Sequence, residues 1–411
     1  MSIDLTLLPA PLSDAKKMNF WFWGVLLIVF ILLGCIITVT LSFFYDISDI
    51  LFISGLFAFP VVSWLFIFLY GVYLYGNRLA YIEQWNLCIE KRKQKLINYG
   101  QRGLYVLGFS LISEQGDAGN AAAIVNNDFL ITSKLHPNSG IITPHTTLSV
   151  IDGMASERIN ERLKVIFTRF EKEYKAKFAA VLTQSNLHVR LFIDAEISND
   201  KIKALWMETL GKKICHPASF EIEDPSHSST FIETWLDDSD HDDELLLVIN
   251  THLFSAPIKD EGEFASMLVL AGENVNRAPF FPTANSPLIK VYRSEQKTEF
   301  TQTIEHALLW GSADDNQYGG VWYSGISTDF KNKIMHYFNQ IQFEAKNYFN
   351  IDNSIGYAGY CSYWLALVLA IENVSMKKDK QLIMVGKTPL TASVVSYLQE
   401  SEKRNRKNEK V

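Results

Sequence analysis

Among the side chains able to do covalent chemistry, Cys215 has the most activating neighbours, in KKICHPASF, with Lys212, Lys213 and His216 close by. Nearby cations favour the thiolate, the form of cysteine that attacks an acyl carbon. Against this, Pro217 and the extended-reading ASFEIE after it do not form the strand-to-helix elbow that presents a nucleophile. His252 follows the apolar run LLLVINT, at the end of a buried strand where a site can form. A lone histidine there is more commonly a hydrogen-bonded structural one. The run LDDSDHDDE packs five aspartates and a glutamate around His241, and hard cations take carboxylate oxygens. It has no loop glycine and no EF-hand spacing, so it reads as a solvated loop without a metal. No Gly-x-Ser-x-Gly elbow, P-loop or His-Glu-x-x-His motif occurs, so those classes of hydrolase, nucleotidase and zinc enzyme recede. Cys35, Cys88, Cys215 and Cys361 lie far apart without metal-ligand spacing, the usage of a reducing compartment.

The elements that must position such groups fall into an anchor and a body. Of the 411 residues 48% are apolar, and the excess sits at the N-terminal end. Residues 19–42 are uncharged for about 24 positions, enough at helical rise to cross a hydrocarbon core of roughly 30 Å. A second uncharged run covers residues 50–77, with Pro60 inside it and Trp and Tyr near its ends. The first run is too long for a signal peptide and lacks a cleavage site, so the two predict a transmembrane hairpin over residues 19–77. Lys16 and Lys17 precede it, Arg78, Lys91, Arg92, Lys93, Lys95 and Arg102 follow it, and the loop FYDISD has no Lys or Arg. The positive-inside rule then places both termini in the cytoplasm of a bacterial inner membrane, with residues 1–18 as a short tail. Helical spacing continues over residues 78–100 as a juxtamembrane stalk ended by Gly100.

Residues 101–400 alternate short apolar runs with helical patterns. LYVLGFSLI, FAAVL, LHVRLFI, LLLVI, SMLVLA, LIKVY, VWYSG and QLIMVG read as strands. Helices are expected over residues 157–178, 200–210, 301–310, 329–341 and 359–371. Interleaving argues an α/β fold, and continuous Leu/Ile/Val runs argue strands covered on both faces. Residues 401–411 form a polar basic tail expected to be disordered. The net charge of −7 and scattered acids offer no basic face to nucleic acid. In RAPFFPTANSP, Phe280 and Phe281 stand between prolines and cannot join a regular ladder; they are a candidate partner contact or an ordinary buried loop.

Four segments, in order, resemble the thiolase and β-ketoacyl synthase superfamily. LYVLGFSLISEQGDAGN is similar to its opening strand and turn, with Gly108 and Gly116 at the glycine places. DEGEFASMLVLAGE is similar to a Gly-Glu-Gly-Ala pattern leading into a strand: Gly262, Glu263 and Ala265 match, and Phe264 replaces the second glycine. VWYSGISTDFKNKIM is similar to the segment carrying a His-Gly-Thr motif, with Ser324 in the histidine's place. DNSIGYAGYCSYWLALVLAI resembles the Lys-Ser-x-x-Gly-His stretch, with Asp352 for lysine and Tyr357 for histidine.

The resemblance implies a thiolase-like fold of two similar halves in α/β/α/β/α layers, after the transmembrane hairpin. It also implies a site without its two histidines, which stabilise the enolate or oxyanion of condensation; neutral serine and tyrosine supply no such charge. A pseudoenzyme without cofactor is expected. The alternative is an acyl-handling enzyme at the membrane using Cys215. Pairing through a strand of the first half, usual in the superfamily, would give a homodimer. More narrowly, IGYAGYCSYWLALVLA is similar to a segment of the type VI lipase adaptors of bacterial secretion. That implies a protein partner, an effector or spike component, met at the bilayer on the cytoplasmic side.

Overall fold

The computed structural model describes residues 3, 5–135, 142–148, 158–177, 186–214, 217–275, 288–311, 317–386 and 389–398. They divide into two compact units, residues 3–96 and residues from 97 onward.

The first unit is built on long apolar helices. Helix α1 (Phe20–Ser42) begins where the Asn19 side chain accepts from the Trp21 and Phe22 N–H groups. A second helix runs unbroken over Asp49–Gly100. It comprises α2 (Asp49–Ile53), a π turn (Ser54–Ala58) and α3 (Phe59–Gly100). The π turn ends two residues before Pro60, whose ring lacks an N–H and crowds the carbonyl four residues back, within that turn. A Cβ on Gly34 would overlap Pro60, and one on Gly55 would overlap Thr38, so the helices meet at their small residues. Trp64 Nε1–H donates to the Trp23 carbonyl at 3.1 Å, and Trp23 meets Phe68 edge to face. Both helices are long and apolar enough to cross a membrane. No break separates residues 50–77 from the expected stalk, because the Gly76–Asn77 step leaves the helical ladder intact.

The second unit begins with β1 (Gly103–Ile112), α4 (Asn120–Asn126) and a small hairpin of β2 (Ser133–Leu135) and β3 (Ile142–Pro144). There follow α5 (Ile159–Lys177), β4 (Leu187–Asp194), α6 (Asn199–Glu208), β5 (Ser219–Glu223), α7 (Phe231–Leu236), β6 (Leu245–His252) and β7 (Phe264–Ala271). Then come β8 (Ile289–Tyr292), β9 (Glu295–Gln296), α8 (Phe300–Trp310), β10 (Gln317–Tyr318), β11 (Gly320–Ser324), α9 (Thr328–Gln340) and β12 (Glu344–Ala345). The unit ends with β13 (Tyr348–Asn350), α10 (Ser362–Lys377), β14 (Gln381–Val385) and β15 (Thr391–Tyr397).

One sheet carries the order β13-β11-β14-β15-β8-β1-β7-β6-β4-β5. Divided between β8 and β1, it is the same five-strand motif twice. In each half the first strand pairs antiparallel with the fifth, the fifth antiparallel with the fourth, and the fourth, second and third are parallel. The halves join through β1 and β8, with Leu104 opposite Val291. Gly103 permits that approach, since a Cβ would run into the Val291 carbonyl.

Alternation along the strands sorts side chains into three cores. Leu187, Val189, Leu247 and Met267 face α5 and α6; Val321, Tyr323, Leu382 and Val394 face α8 and α9. The opposite faces of both halves, including Val248, Leu268, Trp322 and Ile383, close on α10. Every residue from 362 to 371 is buried, as an apolar helix in a central layer requires. This is the five-layered architecture that the resemblance implies. Between third and fourth strands the halves differ in length: the second has the sixteen-residue α10 and the first the six-residue α7.

Candidate functional site

The parallel strands of both halves end at one cluster. Asp194 ends β4, His252 ends β6, Ser324 ends β11, Asp352 follows β13 and Gly386 follows β14. Two loops tie the halves beneath it. Glu261 forms a parallel bridge with Tyr357; the Gly262 N–H donates to the Tyr357 carbonyl at 3.0 Å, and the Tyr357 N–H to the Asp260 carbonyl at 2.9 Å. Gly262 is required, because a Cβ would be driven into the Ile355 carbonyl. Its neighbour Glu263 is fully buried, with Arg162 and Thr147 Oγ1 donating to it along with the N–H groups of Leu148 and Phe254. Gly262 and Glu263 thus fix the loops that join the two halves.

The structure brings Ser324, Asp352 and Tyr357 together. Ser324 Oγ donates to Asp352 Oδ1 at 2.5 Å and the Gly325 N–H to Oδ2 at 2.7 Å. Gly325 has a φ of +70° and backs onto the Tyr357 ring and Gly386. Burial, reinforced by the charges of Asp352 and Glu261, pushes the Tyr357 hydroxyl above its ordinary pKa and keeps it neutral. A cavity of about 490 Å³ opens here, lined by Lys259, Asp260, Glu261, Gly325, Asp352 and Tyr357 among others.

His252, one wall further in, is clamped by carboxylates. Nδ1–H donates to Asp194 Oδ2 at 2.9 Å, and Nε2 lies 3.4 Å from Glu261 Oε2, near enough for charge attraction but without hydrogen-bond geometry. Burial alone would lower its pKa, but the two carboxylates outweigh it and hold it at about 9. At neutral pH it is an imidazolium, unsuited to act as a general base there. The position therefore carries both a strand-end location and the hydrogen-bonded role that a lone histidine commonly has.

Cys215 and His216, and Phe280 and Phe281, fall outside the described residues, as does the FAAVL run. The extended ASFEIE stretch is β5, third strand of the first half, and the turn into a helix comes after it, through residues 224–230. That turn contains serines and a threonine but no cysteine. Cys361, at the matching turn of the second half, is sealed: its Sγ faces the Phe192 and Thr251 carbonyls, and burial with the nearby Asp194 charge pushes its pKa far up. In the acidic run, Asp242 pairs with Arg102 at 2.7 Å, Asp237 with Arg293, and Glu244 with His188 at 3.0 Å, while His241 stacks on Trp235. Among the described residues no three His, Cys, Asp or Glu side chains converge to hold a metal ion.

Sequence reasoning did not single out Asp194, Asp260 or Lys259. Asp194 carried a signal: a carboxylate ending an otherwise apolar strand beside the one that ends in His252.

No family model matches the sequence, and no curated protein matches it. Solved structures that resemble it include a variant of OleA from Xanthomonas campestris, at 11% identity and a TM-score of 0.43, over 72% of this chain and 98% of that one. A type II polyketide ketosynthase in complex with its acyl-carrier protein, AntDE:AntF, matches at 15% and 0.49, and the ishigamide ketosynthase/chain length factor at 13% and 0.46. Each of these two is covered over 100% of its length by 72% of this chain. The repeated strand order and the three layered cores make the second unit a mixed α/β, thiolase-like domain.

Proposed function

We propose that this chain is a membrane-anchored, non-catalytic thiolase-like domain that serves as an adaptor or recruitment platform for a protein partner. One observation carries the reading: at the strand ends, the donors an oxyanion would use are engaged by a built-in carboxylate. Asp352 takes the Ser324 hydroxyl and the Gly325 N–H, and Glu261 and Asp260 add negative charge. Condensation develops negative charge on the substrate, and fixed carboxylates at that spot raise the barrier rather than lower it. The sealed Cys361 cannot serve as nucleophile. The hairpin, oriented by its flanking Lys and Arg, would hold the domain on the cytoplasmic side of a bacterial inner membrane. The segment from Ile355 onward supports a type VI secretion effector as the partner.

Two measurements test this. The full chain in neutral detergent, incubated with a radiolabelled acyl-thioester, should gain no label beyond that of a Cys215→Ala variant; stable acylation of Cys215 would overturn the non-catalytic reading. Affinity capture of the full chain from cells that express a type VI system should recover an effector or spike component. Recovery of neither under gentle conditions would sink the recruitment reading.

A further inference from the structure

We infer that the cleft between the two apolar helices of the first unit holds one acyl chain of a membrane phospholipid whose headgroup carries an ammonium; this goes beyond the recruitment reading and rests only on its membrane anchor. A cavity of about 660 Å³ lies between α1 and the second helix, within the roughly 300–1,000 Å³ usual for a small-ligand site. Phe30, Ile37 and Leu41 of α1, Tyr45 of the loop, and Leu51 and Phe59 of the second helix line it, so the wall is almost wholly apolar. The π turn over Ser54–Ala58 contributes Gly55 to that wall, and single π turns inside α-helices recur at functional sites. The helices touch where Gly34 meets Pro60 and Gly55 meets Thr38, and the larger side chains beside these contacts border the cleft.

Its depth selects the occupant. The α1 residues that line it run from Phe30 to Leu41, roughly 16 Å at helical rise, and half of a hydrocarbon core is about 15 Å. The cleft therefore covers one leaflet, on the side of the loop. In the other leaflet aromatic packing closes the hairpin: Trp23 meets Phe68 edge to face, Trp64 stacks on Phe68, and the Trp64 Nε1–H donates to the Trp23 carbonyl. A partner helix needs a groove through the whole core, whereas a lipid chain ends at mid-bilayer. The mouth adds a charge. Ile47 lines the cavity, Asp46 and Asp49 stand beside it in sequence, and the loop FYDISD has no Lys or Arg. Those carboxylates attract a headgroup ammonium and repel a headgroup that carries only negative charge.

The test is native mass spectrometry of the full chain in neutral detergent, titrated with palmitoyl-oleoyl phosphatidylethanolamine or with phosphatidylglycerol of the same chains. One phosphatidylethanolamine should be retained per chain, with at least fivefold preference over phosphatidylglycerol. Two variants that fill the cleft from opposite walls, Leu41→Trp and Ser63→Trp, should each cut retention at least fivefold. Ile28→Trp, on an exposed position of α1 outside the cleft, should leave it unchanged. Asp46→Asn/Asp49→Asn should bring the two lipids to equal retention. No retained lipid, equal retention of both lipids by the parent, or a loss no greater in the cleft variants than in Ile28→Trp would overturn the inference. A chain that alkaline carbonate washes off membranes would sink the anchor and this inference with it. A chain that stays in the membrane but retains no lipid would sink this inference alone.

Discussion

Raising the pH from 6.5 to 9.5 should lower the thermal unfolding midpoint of the second unit, in the full chain, by roughly 5–10 °C, and His252→Gln should remove most of that fall. The group's pKa is about 9 in the fold against 6.5 for a free histidine. Its protonated form is therefore bound more strongly in the native state. The sign follows: the stabilisation is complete below about pH 6.5 and drains away as pH climbs through 9. The difference corresponds to on the order of 3 kcal/mol, from Asp194 and Glu261 holding a cation against the cost of burying it. Other groups titrate over the same range, so the decisive quantity is the difference between the two proteins at each pH. Parallel declines would show that the clamp contributes nothing to stability.

Glu263→Ala should be the more damaging change, costing about 3–5 kcal/mol, a large share of the stability of an ordinary domain. The carboxylate is wholly buried and is the shared acceptor for Arg162, the Thr147 hydroxyl and the Leu148 and Phe254 N–H groups. Removing it strands a buried guanidinium and two backbone donors together. Chemical denaturation monitored by near-ultraviolet circular dichroism reads the effect. Adding Arg162→Met to Glu263→Ala should recover part of the loss, because the unpaired charge goes, but not all, because Leu148 and Phe254 still lack an acceptor. A Glu263→Ala protein as stable as the parent would refute the assignment of this carboxylate as the tie beneath the site.

The element types were largely legible in sequence because their signals are local. Apolar runs bounded by polar turns mark β4, β6 and β7, and a 3.6-residue period marks α5, α8 and α9. Two of the strands that complete the halves were not. β13 is only Tyr348–Asn350, too short to show a period, and β15, TASVVSY, dilutes its apolar residues with Thr and Ser. Both belong to the sheet through pairing with β11 and β14, which no local pattern expresses. The small strand β5 was read as extended chain, yet its place as third strand, and hence the turn after it as the counterpart of residues 351–361, emerged only from the sheet order.

Composition and charge alone determined that two apolar helices precede an α/β body, because bilayer thickness sets a length and burial sets a hydropathy. The motif positions Ser324, Asp352 and Tyr357 could likewise be named from sequence. What only the tertiary structure decided is what those side chains do to one another. Asp352 accepts from Ser324 across 28 positions, and His252 draws Asp194 from 58 positions away. Electrostatics depends on distance through space, so the character of the site was fixed by the folding of two half-domains onto one helix, α10.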